Sequence, residues 1–316
     1  MGDAPLGIAV IGAGVHGSRY AGHLLRGDVP GARLAGVCRR TASEAGAWTS
    51  RGVRFETAAE ALLDDPAVEA AVVASPPGMH ATHAEAVLAR RKPLLLEKPA
   101  APDAASCARI RAAASRAGVP VLVGHSHRYN PVALAFREAV RGLGPLRGLA
   151  VALRHERMAQ AWQHRPPEGG ALLGVGVHAA DLARWITGEE LAADACRRTG
   201  DPGEAEGSAL VLARTARGTP VSLDVSIVVG ARRGGLEAWG ERGAVEGDLI
   251  LHELSRREGR NRTPVPLPPP APGLPPLLGD FVRAARGGGA GIAATLEDGI
   301  AAVEFVLECR SKAGHA

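Results

Sequence analysis

Over the first 124 residues, short apolar runs alternate with longer helical patterns, and few folds accept that rhythm. The runs LGIAVIG (6–12), RLAGVC (33–38), EAAVVAS (69–75), PLLLE (93–97) and PVLVG (120–124) read as strands buried on both faces. Between them lie Ala- and Leu-rich segments at 15–26, 42–50, 57–64, 80–91 and 103–117. Thr57 and Asp103 stand as N-caps for two of these, and Gly118 as a helix stop. Strand and helix in alternation demand right-handed crossovers between parallel strands, so this region predicts a doubly wound α/β sheet.

The rhythm breaks after residue 124. A helix-like segment at 130–142, a strand at 145–157 and an amphipathic stretch at 171–187 come first. β-rich runs at 191–198, 207–215, 219–229, 235–240 and 244–251 then follow with little helix between them. Such a succession predicts an α+β region with a largely antiparallel sheet, open on one face. The Pro-rich stretch 263–276 reads as an exposed polyproline-like connection, and helical patterns at 277–286 and 295–312 close the chain. We therefore divide the 316 residues into domains at 1–124 and 125–316.

Composition removes several classes of function. Aromatic residues are only 3% and no Lys/Arg run interleaves with them, which argues against nucleic-acid binding despite the net charge of +4. No apolar run reaches the ~18 residues of a membrane helix, and residues 1–7 lack the start of a signal peptide. Cys38, Cys107, Cys196 and Cys309 are widely separated and match no zinc spacing. The expectation is a cytoplasmic protein with reduced thiols, no metal and no membrane or nucleic-acid partner.

The first strand runs into GAGVHG, which sets Gly12, Gly14 and Gly17 in a G-x-G-x-x-G pattern around Val15 and His16. The first glycine permits a tight turn, the second lets backbone approach a pyrophosphate, and the third lets the helix pack against the strand. Amides at that helix start would face phosphates, so the turn predicts dinucleotide binding. The second strand ends at VCRRT, about 20 residues past the third glycine, where an NAD site carries an acid on the ribose hydroxyl and an NADP site an arginine. Arg39 and Arg40, with the Thr41 hydroxyl, point to NADP(H) over NAD(H). The alternative is two solvated arginines in an arginine-rich chain.

Lysine is scarce here: only Lys92, Lys98 and Lys312 occur. Arginine does not lose its proton in a protein, whereas a desolvated lysine is tuned toward neutrality, so a lysine kept at the end of a strand suggests proton chemistry. Lys98 lies in EKP at 97–99. Together with GAGVHG, SPPGMHATHAEAVLARRKPLLLEKP (75–99), GHSHRYNP (124–131), EGGALLGVGVHAADLARWITG (168–188) and ATLEDGIAAVEFVLECRSK (294–312), this motif resembles the Gfo/Idh/MocA oxidoreductases.

That resemblance implies a Rossmann domain followed by an α/β domain whose open sheet forms a subunit interface, hence a homodimer or homotetramer. It also implies hydride exchange between a nicotinamide and a ketone or secondary alcohol on a sugar-like or cyclitol substrate. Lys98 would position the reacting oxygen near the nicotinamide, whose cationic oxidised form pushes the lysine pKa down. Glu97 would shape that turn or touch the cofactor. Ser75 and Pro76 would border the cofactor, as would His80 unless it is a helix-start histidine with a structural hydrogen bond; Arg128, Tyr129 and Asn130 border the substrate or else join the domains, and the region of His155, Arg157, Trp162, His164 and Arg165 would border the substrate. His125 and His127, alternating along a strand end, face opposite sides and make a poor metal pair.

The family pattern carries an aspartate and, four residues later on the same helix face, a histidine. This chain has His178 but Gly174 at the aspartate position. Asp181 reads as a packing or capping residue. Either His178 acts as general acid/base without that partner, or the chemistry has moved to a more electrophilic imine or conjugated carbonyl. A third alternative is a non-catalytic NADP(H)-binding sensor or partner subunit.

Overall fold

The computed structural model describes residues 4–157 and 159–314. The chain forms two compact units, Met1–Ser126 with Gly273–Ile300, and His127–Pro272 with Ala301–Ala316.

In the first unit, strands β1 (Leu6–Ile11), β2 (Ala32–Cys38), β3 (Phe55–Glu56), β4 (Ala70–Val73), β5 (Leu94–Leu96) and β6 (Val121–Val123) alternate with helices. These are α1 (Gly17–Arg26), α2 (Ala45–Thr49), α3 (Ala59–Leu63), α4 (His80–Ala89) and α5 (Ala104–Ala117). The sheet order is β6-β5-β4-β1-β2-β3, all parallel. Chain order reverses between β1 and β4, and a ligand of such a sheet binds beyond the strands' carboxyl ends at that reversal. β1, β4 and β5 are buried at every position, as their unbroken hydrophobicity requires. Asp103 caps α5 by accepting from Ser106 N at 2.8 Å, and Gly118 ends it at φ 63°. Thr57 caps nothing, because α3 starts two residues later behind Ala58.

The expected boundary misplaced residues 273–300, which return to the first unit. The helix Leu274–Ala285 buries Leu277, Leu278 and Phe281, and Ala294–Thr295 adds an antiparallel edge to β6. Arg286 donates to the carbonyl of Ala4 at 2.6 Å, and Arg111 pairs with Glu297 at 2.8 Å.

The second unit holds α6 (Pro131–Arg141), β7 (Leu146–Arg154), α7 (Val177–Thr187), β8 (Leu191–Thr199), β9 (Ser208–Thr215), β10 (Pro220–Ser226), β11 (Arg233–Gly240), β12 (Gly243–Asp248), β13 (Glu253–Glu258) and β14 (Asn261–Pro264). With Ala313–Gly314 they form a nine-stranded sheet in the order β14-β13-β12-β11-β7-β10-β9-β8 and then that terminal pair. It is antiparallel except where β7 meets β10 and where Ala313–Gly314 meets β8. β13 and β14 fall where no strand was expected, since ELSRRE and NRTP carry too little alternating hydrophobicity to declare an edge.

One face of this sheet is covered by α6, α7 and a π-helical turn at Leu172–Gly176. The other is bare. Along β9, Ala209, Val211 and Ala213 point inward while Leu210 and Leu212 stay 60% and 61% exposed. Among the described residues no helix is long and apolar enough to cross a membrane.

Candidate functional site

β1 delivers the chain into Gly12 at φ 89°, a conformation side chains rarely adopt. A Cβ there would lie 2.4 Å from the Ser75 nitrogen, and one at Gly17 would lie 2.2 Å from the Gly12 oxygen. At Gly14 a Cβ would meet nothing within 4 Å, so the missing side chain leaves open backbone ahead of α1. Val15 extends outward beside it. Tight where it meets β4 and open where a pyrophosphate approaches, this turn fits a dinucleotide. Beyond β2, Arg39 is ion-paired with Glu44, Arg40 is exposed, and the Thr41 hydroxyl lies 3.4 Å from that of Ser43.

The glycine turn is wired to the end of β5 through Glu97, which is 6% exposed. Its Oε1 accepts from the Tyr20 hydroxyl at 2.5 Å and lies 3.0 Å from His16 Nε2, while Oε2 accepts from the Lys98 amide at 3.0 Å. Burial pushes this carboxyl up. The charge and hydrogen bond contributed by His16, the Lys98 ammonium and the Tyr20 hydroxyl outweigh burial and hold it at about 2. Glu97 is thus an ionised hub beneath the turn, with its oxygens already engaged by protein donors. Tyr20, fully buried on the next turn of α1, was not singled out from sequence.

Burial lowers the pKa of Lys98, and Glu97 partly restores it. Burial also lowers Lys92, but its ammonium is held by the carbonyl of Val68; Lys312 binds the carbonyl of Ala193 and pairs with Glu308 at 2.7 Å.

His80 makes the structural contacts of the second alternative: it is 1% exposed, with Nδ1 2.9 Å from the Pro99 oxygen and Nε2 2.8 Å from the Ser75 oxygen. Two carbonyls favour the doubly protonated ring, burial disfavours it, and burial is the larger effect, so the pKa falls. A ring so placed braces the Ser75 loop against the turn after Lys98 and has no nitrogen left for a cofactor. His83, one turn along α4, reaches the Ser75 hydroxyl at 2.9 Å. The i, i+3 spacing of these histidines was the signal that both address that loop. Pro76 follows Ser75 and leads into a 3₁₀ turn at Pro77–Met79.

In the second unit, His178 sits in the first turn of α7, 6% exposed. Gly174 lies within the π-helical turn before it, where a Cβ would touch only Ile227 Cγ2 at 3.6 Å. Of the two roles open to Arg128, the structure favours the structural one: its guanidinium is buried in a bidentate pair with Asp181, Nε to Oδ2 at 2.9 Å and Nη2 to Oδ1 at 2.5 Å. Tyr129 beside it is 7% exposed. His125 and His127 do not share a strand: β6 ends at Val123, and Ser126–Tyr129 is a 3₁₀ turn that packs His127 against His178. Arg157 pairs with Glu204 at 2.8 Å. Among the described residues no cluster suited to a metal ion occurs.

Comparison with known proteins agrees with this geometry. Residues 6–125 match the oxidoreductase family with an NAD-binding Rossmann fold, GFO_IDH_MocA, and residues 135–246 match the GFO/IDH/MocA C-terminal domain. Inositol 2-dehydrogenase 2 of Saccharopolyspora erythraea is 33% identical over 273 residues, 82% of this chain and 78% of its own. A structure of GenD2 from gentamicin A biosynthesis, in complex with NAD, superposes with a TM-score of 0.84 at 25% identity, covering 98% of this chain and 95% of that one. A variant of KijD10, a 3-ketoreductase from Actinomadura kijaniata solved with TDP-benzene and NADP, superposes with a TM-score of 0.84 at 20% identity over 98% of both chains.

Proposed function

The chain belongs to the Gfo/Idh/MocA oxidoreductases, and on that premise we propose that it is a cytoplasmic, NADP(H)-dependent enzyme interconverting a secondary alcohol and a ketone on a cyclitol or sugar-like substrate. The observation that carries this reading is the wiring of the first unit. Glu97 joins the glycine turn to the Lys98 backbone, so the residues suited to hold a dinucleotide and the lysine suited to hold a reacting oxygen form one hydrogen-bonded assembly. The similarity to an inositol 2-dehydrogenase supports the substrate class.

When bound, the nicotinamide accepts or returns the hydride. Gly12, Gly14 and Gly17, with the amides around Val15 and His16, seat the pyrophosphate. Arg39 and Arg40 meet the 2′-phosphate, for which Arg39 must exchange its Glu44 partner. Lys98 donates to the reacting oxygen and opposes the negative charge that builds there. His178 takes or returns that oxygen's proton. The bare apolar face of the second sheet supports a homo-oligomer in which a second copy covers Leu210 and Leu212.

A fluorescence titration with NADPH and NADH tests the cofactor assignment. NADPH should bind more tightly, and Arg39→Asp should abolish the preference; equal binding in the wild-type protein refutes it. Turnover of cyclitols and sugar alcohols should vanish in Lys98→Met with cofactor binding intact. Turnover restricted to imines or enones would instead favour the C=N or conjugated-bond chemistry that Gly174 motivates.

A further inference from the structure

The end of β2 is fixed against the glycine turn. The Cys38 carbonyl accepts from the amides of Gly12 and Ala13 at 2.9 and 3.1 Å, and the Arg39 amide donates to the Glu56 carbonyl at 3.1 Å. Arg39 therefore leaves the sheet one residue beyond a direct hydrogen bond to the turn that suits a pyrophosphate. In a fold of this kind that is where the 2′ position of the ribose is read.

The chain then runs through Thr41, extended at φ −115° and ψ 137°, into a single 3₁₀ turn at Ala42–Glu44. Thr41 and Glu44 have the S/T-x-x-E spacing of a capping box. The Thr41 side chain nonetheless makes no cap hydrogen bond, and the Glu44 carboxylate lies on Arg39 Nη1 instead. The other acid beside the strand end, Glu56, is held by Arg54 at 2.9 Å. With Arg40 exposed next to Arg39, two cations and one carboxylate share the place where a 2′-phosphate would be met.

We propose that Glu44 is a specificity-determining residue: its carboxylate competes with the 2′-phosphate for the Arg39 guanidinium and so narrows the preference for NADP(H) over NAD(H). This rests on the dinucleotide reading above. A phosphate monoester carries about two negative charges near neutral pH, so it either displaces Glu44 from Arg39 or binds beside a like charge. A 2′-hydroxyl is uncharged and does neither. The pair therefore weakens the binding of NADPH and leaves that of NADH nearly untouched. Exposure sets the size of the effect: the Arg39 and Glu44 side chains are 32% and 48% exposed, and a pair so screened by water and salt changes affinity by a few-fold.

Fluorescence titrations of the full chain with NADPH and NADH, at about 0.05 M and about 0.5 M NaCl, provide the test. Glu44→Gln should tighten NADPH about threefold to fivefold at the lower salt, while NADH changes less than about twofold. The gain should shrink at the higher salt. In an Arg39→Gln background the same substitution should gain less than about twofold, since the contested guanidinium is gone. An NADPH affinity unchanged by both Glu44→Gln and Glu44→Ala, in a protein whose NADPH binding Arg39→Gln weakens, overturns the proposal and leaves the NADP(H) assignment standing. A gain of equal size with and without Arg39 also overturns it, because the carboxylate would then act on the phosphate directly. Wild-type protein that binds both cofactors equally and is indifferent to Arg39→Gln overturns the NADP(H) assignment, and this proposal with it.

Discussion

Glu97→Gln isolates the charge at the centre of the first unit. The side chain keeps its shape and can still accept from Tyr20, but the attraction to His16 and Lys98 is lost. The carboxyl is held down from an ordinary 4.5 to about 2, and at ~1.4 kcal/mol per pH unit that gap corresponds to ~3 kcal/mol of native-state stability. The His16 side chain is 42% exposed, so solvent screens part of its contribution and ~2 kcal/mol is the better expectation. Because the folded pKa lies below the unfolded one, this stability is fully present above about 4.5 and is lost as the pH falls toward about 2. The variant lacks it throughout.

Thermal unfolding of both proteins at pH 7, 5, 4 and 3 should show a gap of ~4–8 °C at pH 7 and pH 5 that narrows below 4.5. A second effect separates this electrostatic account from simple mispacking. Glu97 raises the pKa of Lys98 against burial, so its neutralisation should move the alkaline limb of the pH–rate profile to lower pH. A melting gap that stays constant down to pH 3, or no gap at pH 7, refutes the reasoning. The first outcome would mean that the cost comes from the glutamine amide facing the Lys98 N–H.

Two further variants address the second unit. Gly174→Asp should fold with stability within about 1 kcal/mol of wild type, since its Cβ meets only Ile227 Cγ2 at 3.6 Å. Placed four residues before His178, its carboxylate should raise cyclitol turnover several-fold, and kinetics with activity lost instead would show that the glycine makes room for substrate. Leu210→Glu combined with Leu212→Glu places charge on the bare face, where both side chains are more than half exposed, and should leave circular dichroism unchanged while sedimentation shifts to a monomer. A wild-type protein that already sediments as a monomer refutes that assignment.

Local pattern carried the Rossmann half. The glycine turn, the five internal strands and the cap at Asp103 each depend on residues a few positions apart, and they fall where hydrophobic run, turn chemistry and helix stop agree. The last two strands did not: β14 is exposed at every position, and β13 buries only the adjacent Leu254 and Ser255, so neither displays the alternation that declares a strand. Likewise, 3.6-residue periodicity cannot announce the single π-helical turn at Leu172–Gly176 that precedes His178.

The same distinction runs through the site. The candidates Lys98, His178 and the glycines stand out because a motif surrounds each of them. The groups that tune them come from far along the chain: Tyr20 and His16 reach Glu97 from 77 and 81 residues away, and Asp181 meets Arg128 across 53. Read locally, Arg128 beside Tyr129 is a cation available for substrate. Folded, it is one half of a buried pair whose loss would strand the carboxylate of Asp181 in the interior, which makes it a structural residue with a chemical consequence.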